Sequence, residues 1–179
     1  MPGAVLTRFA TSVILFALVA VMPAPAPART PANPTPNQIR NAVRSAKQSR
    51  RLWATVNICD TRRHPNTIGI RGQVPALGFP ASISISIAIE FFNPTTKRFT
   101  PDPGVEKSIS IGNVADGIQQ GGVTFRFPRN AGRLRGAATF SWKRGGKLLG
   151  STDRLTTAGH RDADFSDPHG FSAATCTIN

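Results

Sequence analysis

Ten residues constrain this chain more than any others. Ser82-Ile83-Ser84-Ile85-Ser86-Ile87-Ala88-Ile89-Glu90-Phe91 alternates without a break, large apolar at odd positions and small or charged at even ones. Successive side chains of a strand point to opposite faces, so this period of two places four Ile and one Phe on a single side. A helix would scatter the same isoleucines around its circumference. β-Branched side chains also prefer a pleated surface to a helical turn. The segment therefore reads as a long, half-buried strand whose Ile face requires a second sheet to cover it.

The rest of the chain agrees with an all-β fold. Its 179 residues leave room for one domain once the ends are removed, and 40% are hydrophobic, enough for a core. Gly (16) and Pro (15) supply turns between short strands. Leu52–Cys59, Thr67–Val74, Ser82–Phe92, Lys97–Thr100, Val105–Ile111 and Val123–Phe127 read as strands, with Asn93-Pro94-Thr95-Thr96 as a turn and Pro101 and Pro103 as a stop. A hairpin runs from Leu134 to Thr157 about Gly145-Gly146, since glycine accepts positive φ at no steric cost. A simple two-residue turn there sets Trp142 opposite Leu149 and Gly136 opposite Leu155. A loop from Ala158 to Gly170 precedes a last strand, Phe171–Ile178. Nine strands without an interior helix predict an immunoglobulin-like β-sandwich of about seven to nine strands, over residues 52–179.

Two segments precede that domain. Residues 1–28 have the form of an export signal: Arg8, an apolar run from Phe9 to Met22, and Ala26-Pro27-Ala28 as a small-x-small cleavage site. The apolar run is short of the roughly 20 residues that span a bilayer, so the expected localisation is secreted or extracellular, with no transmembrane segment in the mature form. Residues 29–51 form a Pro-rich spacer and a basic leader. In the leader Ile39, Ala42, Val43 and Ala46 recur at helical spacing among Arg40, Arg44, Lys47, Arg50 and Arg51. This thin stripe is expected to be a solvated, frayed helix, with an arm that folds on an anionic surface as the alternative.

Cys59 and Cys176 are the only cysteines. Two cysteines in an exported chain most simply pair with each other, and closing so long a loop removes about 4–5 kcal/mol of unfolded-state entropy on the chain-entropy account. Both lie toward the C-terminal ends of their expected strands, which predicts that those strands are parallel neighbours.

The segments Leu52-Trp53-Ala54-Thr55-Val56-Asn57-Ile58-Cys59-Asp60 and Ser172-Ala173-Ala174-Thr175-Cys176-Thr177 resemble the opening and closing segments of a group of secreted actinobacterial β-sandwich proteins. The likeness extends over about residues 52–179. It implies export and fold; no reaction is tied to that group, so it brings no functional residues.

The formal charge is +13, and removing Arg8 with the signal leaves +12. Such a chain is attracted to polyanions, unless the charge serves only solubility. Arg129, Arg133 and Arg135, with Lys143, Arg144 and Lys147 of the hairpin tip, form one basic patch if they share an end of the sandwich. Their alternative role is to discourage edge-to-edge aggregation. Released proteins rarely meet nucleic acid, so the expected partner is an anionic cell-envelope polymer or lipid surface.

No catalytic set is read. Gly170-Phe171-Ser172-Ala173-Ala174 lacks the second glycine of a nucleophile elbow, and the two glutamates, Glu90 and Glu106, do not form a carboxylate pair. One polar loop, with His160, Asp162, Asp164 and His169, is the candidate for a divalent metal. Its spacing matches neither a calcium loop nor a zinc helix, so the favoured reading is a polar loop whose aspartates cap turns. The expected function is a non-catalytic binding or envelope-associated module without a cofactor. The alternatives are a metal-binding protein or metal-dependent enzyme using that loop, and a passive structural domain.

Overall fold

The structure, a computed structural model, describes residues 33–179; the expected export signal and the start of the Pro-rich spacer lie outside the described residues. One helix, α1 (Pro36–Gln48), is followed by eight strands: β1 (Trp53–Cys59), β2 (Thr67–Pro75), β3 (Ala81–Asn93), β4 (Arg98–Val114), β5 (Ile118–Arg126), β6 (Gly132–Arg144), β7 (Lys147–Leu155) and β8 (Cys176–Ile178). They form two antiparallel sheets, β1-β2-β5 and β4-β3-β6-β7. β8 pairs with β6 at Gly132–Leu134, in line with β7, which pairs with β6 at Ala137–Arg144. The fold is an all-β sandwich whose chain crosses between sheets after β2, β4 and β5, as in the Greek-key connections of immunoglobulin-like domains.

The alternating segment forms the centre of this arrangement. β3 lies between β4 and β6, and Ile83, Ile85, Ile87 and Ile89 are all fully buried. Covering each such side chain contributes about 1.5–3 kcal/mol. Phe140 and Trp142 of β6 share the same interior, and the Trp142 indole N–H donates to the Pro75 carbonyl oxygen at 3.1 Å, which satisfies its one polar group. The facing sheet approaches closely through glycines. A Cβ on Gly136 would meet Ile70 Cδ1 at 2.3 Å, and one on Gly121 would meet Ile111 Cδ1 at 2.3 Å.

Several expected elements differ. The strands expected at 97–100 and 105–111 are one strand, β4, interrupted where residues 102–105 bulge opposite Ile89. Proline is tolerated there because β4 is an edge strand. The hairpin turn is Gly145-Gly146 as expected, at φ 54° and 79° with Arg144 paired to Lys147. Leu149 bulges out of the ladder, however, so Trp142 faces Gly150, and Leu155 faces Ala137. The last strand shrinks to Cys176–Ile178, because residues before it turn aside to cover β1.

The basic leader is not frayed. Thr35 caps α1, its hydroxyl accepting from Gln38 N–H at 3.3 Å while the Gln38 side-chain oxygen accepts from Thr35 N–H at 2.7 Å. Val43 and Ala46 are buried and belong to the core cluster. Gly150 makes the docking possible, since a Cβ there would meet Val43 Cγ1 at 2.5 Å. Arg154 also donates to the Lys47 carbonyl oxygen. The helix is thus packed with the sandwich.

Cys59 and Cys176 are joined, with Cα atoms 5.3 Å apart. The expected parallel pairing of their strands does not occur. β1 and β8 belong to different sheets, so the disulfide links the two layers, and Cys176 opens its strand instead of ending it. The exposed edge of β1 is closed by isolated bridges to Thr156, Asp167 and Ala173. Ala173 and Val56 exchange both backbone hydrogen bonds, at 2.9 and 3.0 Å.

Candidate functional site

The expected single basic patch is divided between opposite ends of the sandwich. β6 begins beside Arg129, Arg133 and Arg135 and ends at Lys143 and Arg144. Thirteen strand residues extend about 40 Å at roughly 3.3 Å per step. The two groups therefore cannot engage one short stretch of ligand together.

Arg129, Arg133 and Arg135 lie at the end that carries the disulfide. The β1–β2, β3–β4 and β5–β6 connections meet at this end. Phe127 N–H donates to the Asn66 carbonyl oxygen at 2.9 Å, and the Phe91 and Phe127 rings touch edge to face at 5.5 Å. These connections bring exposed Arg62, Lys97, Arg98 and Arg126 to the same end. The acids here are engaged: Asp60 accepts from Asn66 N–H, and Asp167 accepts from the Thr61 hydroxyl and lies 3.9 Å from both Arg63 and His64.

On the outer face of the larger sheet at this end, arginine and phenylalanine interleave. Phe92 and Phe99 face each other across β3 and β4, with ring centroids 5.2 Å apart. Arg135 lies 4.2 Å above the Phe99 ring, and Arg133 lies 5.5 and 5.7 Å from Phe92 and Phe99. Arg135 is tied to Glu90 at 2.5 Å, so its charge is compensated. Arg133 is exposed, donates to the Thr175 hydroxyl at 3.3 Å and has no carboxylate partner among the described residues. The strand alternation contains this cluster, but the phenylalanines could be placed beside the arginines only once the β3–β4 and β3–β6 registers were known.

At the opposite end Lys143 and Lys147 are exposed, while Arg144 donates to the Asn33 side-chain oxygen at 2.8 Å and lies 5.6 Å from the Phe79 ring. Arg144 therefore anchors the start of the leader.

The His160–His169 loop has a packing role. It lies over the outer face of the smaller sheet, which explains why β1 is buried on both sides. His160 stacks on Trp53, and its Nε2 is 2.9 Å from the Thr157 hydroxyl. Burial draws its pKa below the ordinary value of 6.5, against an opposing pull from Asp162. Backbone groups of Asp162 and Asp164 bond with the Gln120 side chain at 3.0 and 2.9 Å. His169 is exposed in a turn closed by Phe171 N–H donating to the Pro168 carbonyl oxygen. Among the described residues no three His, Cys, Asp or Glu side chains are grouped to hold a metal ion; the four candidate donors are not brought together.

Sequence reasoning missed one depression, of about 340 Å³, on the outer face of the smaller sheet. Arg71 of β2, Lys107 of β4 and Phe165 of the covering loop surround it, over Ile58, Gly122 and Thr124. No sequence signal joins these residues, since they come from both sheets and a loop.

No family model matches the chain, and no curated protein does. Among solved structures it is similar to Spo0M, the sporulation control protein from Bacillus subtilis, at 11% identity over 59% of this chain and 45% of that one, with a TM-score of 0.27. The chain spans less than half the length of that protein, and so distant a likeness carries no argument.

Proposed function

We propose that this chain is a secreted, non-catalytic binding module that attaches to anionic polymers or lipid surfaces of the cell envelope through the disulfide end of its sandwich. The supporting observation is the convergence there of Arg62, Lys97, Arg98, Arg126, Arg129 and Arg133, while the nearby carboxylates are already engaged. Phosphate-rich or carboxylate-rich chains bind such a surface by releasing counterions, with steep dependence on salt and little sequence preference. Phe92 and Phe99 hold Arg133 against the sheet and leave its charge outward. The hairpin tip forms a smaller contact at the far end.

The test is sedimentation with anionic and neutral vesicles, and with purified acidic wall polymer, across a range of salt concentrations. The proposal expects retention on the anionic materials that declines steeply as salt rises, and none on neutral vesicles. Equal retention on both vesicle types, or retention indifferent to salt, would contradict it.

A further inference from the structure

We infer that the depression bounded by Arg71, Lys107 and Phe165 is a binding seat for a small oxyanion, a carboxylate or phosphate carried beside a flat ring. It lies on the smaller sheet and is independent of the basic end described above.

Three observations converge on this site. First, Arg71 Nε is buried with no hydrogen-bond partner among the described residues. A buried donor on a charged group is costly to leave unmet, and an oxyanion accepting from Nε and a terminal nitrogen together would meet it. No carboxylate among the described residues pairs with this guanidinium within 4.0 Å; Asp164 attracts it only from farther away. Gly122 lets the Arg71 side chain lie across β5, because a Cβ there would meet the Ile70 carbonyl oxygen at 2.3 Å and Arg71 Nε at 3.1 Å.

Second, Lys107 adds another positive charge to the same wall. Its ammonium donates to the Thr124 carbonyl oxygen at 2.6 Å and lies 5.0 Å from the Phe125 ring. One of its three donors is used in that hydrogen bond, which leaves two for a ligand.

Third, Phe165 is held where an aromatic side chain is not expected. It is 80% exposed at φ 55°, a left-handed conformation that bulky residues rarely adopt. The Asn57 amide secures it, donating to the carbonyl oxygens of Asp164 and Phe165 at 2.9 and 3.2 Å. The ring lies 4.9 Å from the Arg71 guanidinium. One edge of the seat is thus apolar and flat while its other walls, Arg71 and Lys107, are cationic, which suits an acid group attached to a ring.

The probes are phenyl phosphate, benzoate, inorganic phosphate and benzyl alcohol, each titrated into the isotope-labelled mature protein while the Arg71 Nε–H resonance is followed by NMR. Saturable shifts are expected with phenyl phosphate or benzoate, weaker ones with inorganic phosphate, and none with benzyl alcohol. Whichever of the first two binds more tightly identifies the acid group. Calorimetry on variants follows: R71Q is expected to weaken binding at least about tenfold, as loss of a charge-assisted hydrogen bond requires. R71K, which keeps the charge and lacks the fork, should lose nearly as much. F165A should erase the preference for phenyl phosphate over inorganic phosphate. Thermal melts of the same variants check that they remain folded. Equal binding of benzyl alcohol, no saturable shift with any acid, or undiminished binding to folded R71Q or R71K overturns the inference.

Discussion

Trp53 and His160 stack with ring centroids 4.4 Å apart and planes inclined by 14°. The contact joins the first strand to a loop more than a hundred residues later and fixes that loop over the smaller sheet. Thr55 extends the seam, its hydroxyl 2.7 Å from that of Ser172, as does Asn57 through its bonds to Asp164 and Phe165. A stretch that reads in sequence as a polar turn-capping loop, with a metal site as the alternative, is therefore a cover for β1.

That stack makes stability depend on pH. The folded state favours neutral His160, whose pKa lies below 6.5, whereas the unfolded chain takes up the proton near 6.5. The contribution is complete above about pH 6.5 and is lost as pH falls below it toward the folded value. Denaturant midpoints of the wild type should fall over this window relative to H160F, which keeps an aromatic ring on Trp53 and cannot titrate. Parallel pH profiles for the two proteins would remove this assignment.

Ile85 is fully buried at the centre of β3, facing Phe140 across the β3–β6 ladder. Ile85→Ala should lower unfolding free energy by about 2–5 kcal/mol through lost burial and the cavity left behind. Urea unfolding measures it; Ile111→Ala, at a partly buried position of the edge strand, should have a smaller effect.

Replacing both cysteines tests the link between layers. The bridge spans 117 positions, and the C59A/C176A protein should lose about 4–5 kcal/mol if constraint of the unfolded chain dominates. Unfolding with and without reductant gives the comparison, and the double variant should be insensitive to reductant.

Helix α1 should contribute to stability although it precedes the sandwich. Val43→Asp places a carboxylate against Gly150 in a dry contact and should cost roughly 1–3 kcal/mol by denaturant unfolding. An unchanged midpoint would mean that the leader is detached in solution.

What could be read beforehand was whatever repeats locally. The Ser82–Phe91 alternation identified its strand because one face is buried and the other is not, and Gly145-Gly146 announced its turn through backbone freedom. The capping box at Thr35 and Gln38 is equally local, but the apolar stripe behind it is too thin to signal docking by itself. Gly150 supplies the missing condition by lowering the surface on which Val43 rests. Register was less accessible: a bulge at Leu149 displaced every later pair of the hairpin, and Pro101 and Pro103 resembled a strand end on an edge where proline is tolerated. β1 alternates as well, Val56 and Ile58 against Thr55 and Asn57, but nothing local shows that a distant loop buries its polar face too. The separation of Arg133 from Lys143 follows from the length of the single strand β6, whereas the meeting of Arg71 with Lys107 depends on how strands are ordered between layers, which no short window of sequence contains.

The most direct test of the anion-binding account compares its two ends. Binding to anionic vesicles at low and moderate salt should be measured for the wild type, for K97Q/R98Q/R129Q at the disulfide end, and for K143Q/K147Q at the hairpin tip. The account predicts a marked loss of affinity and a shallower salt dependence for the first variant, with the second close to wild type. If the hairpin-tip variant loses binding while the disulfide-end variant retains it, the proposed surface is wrong.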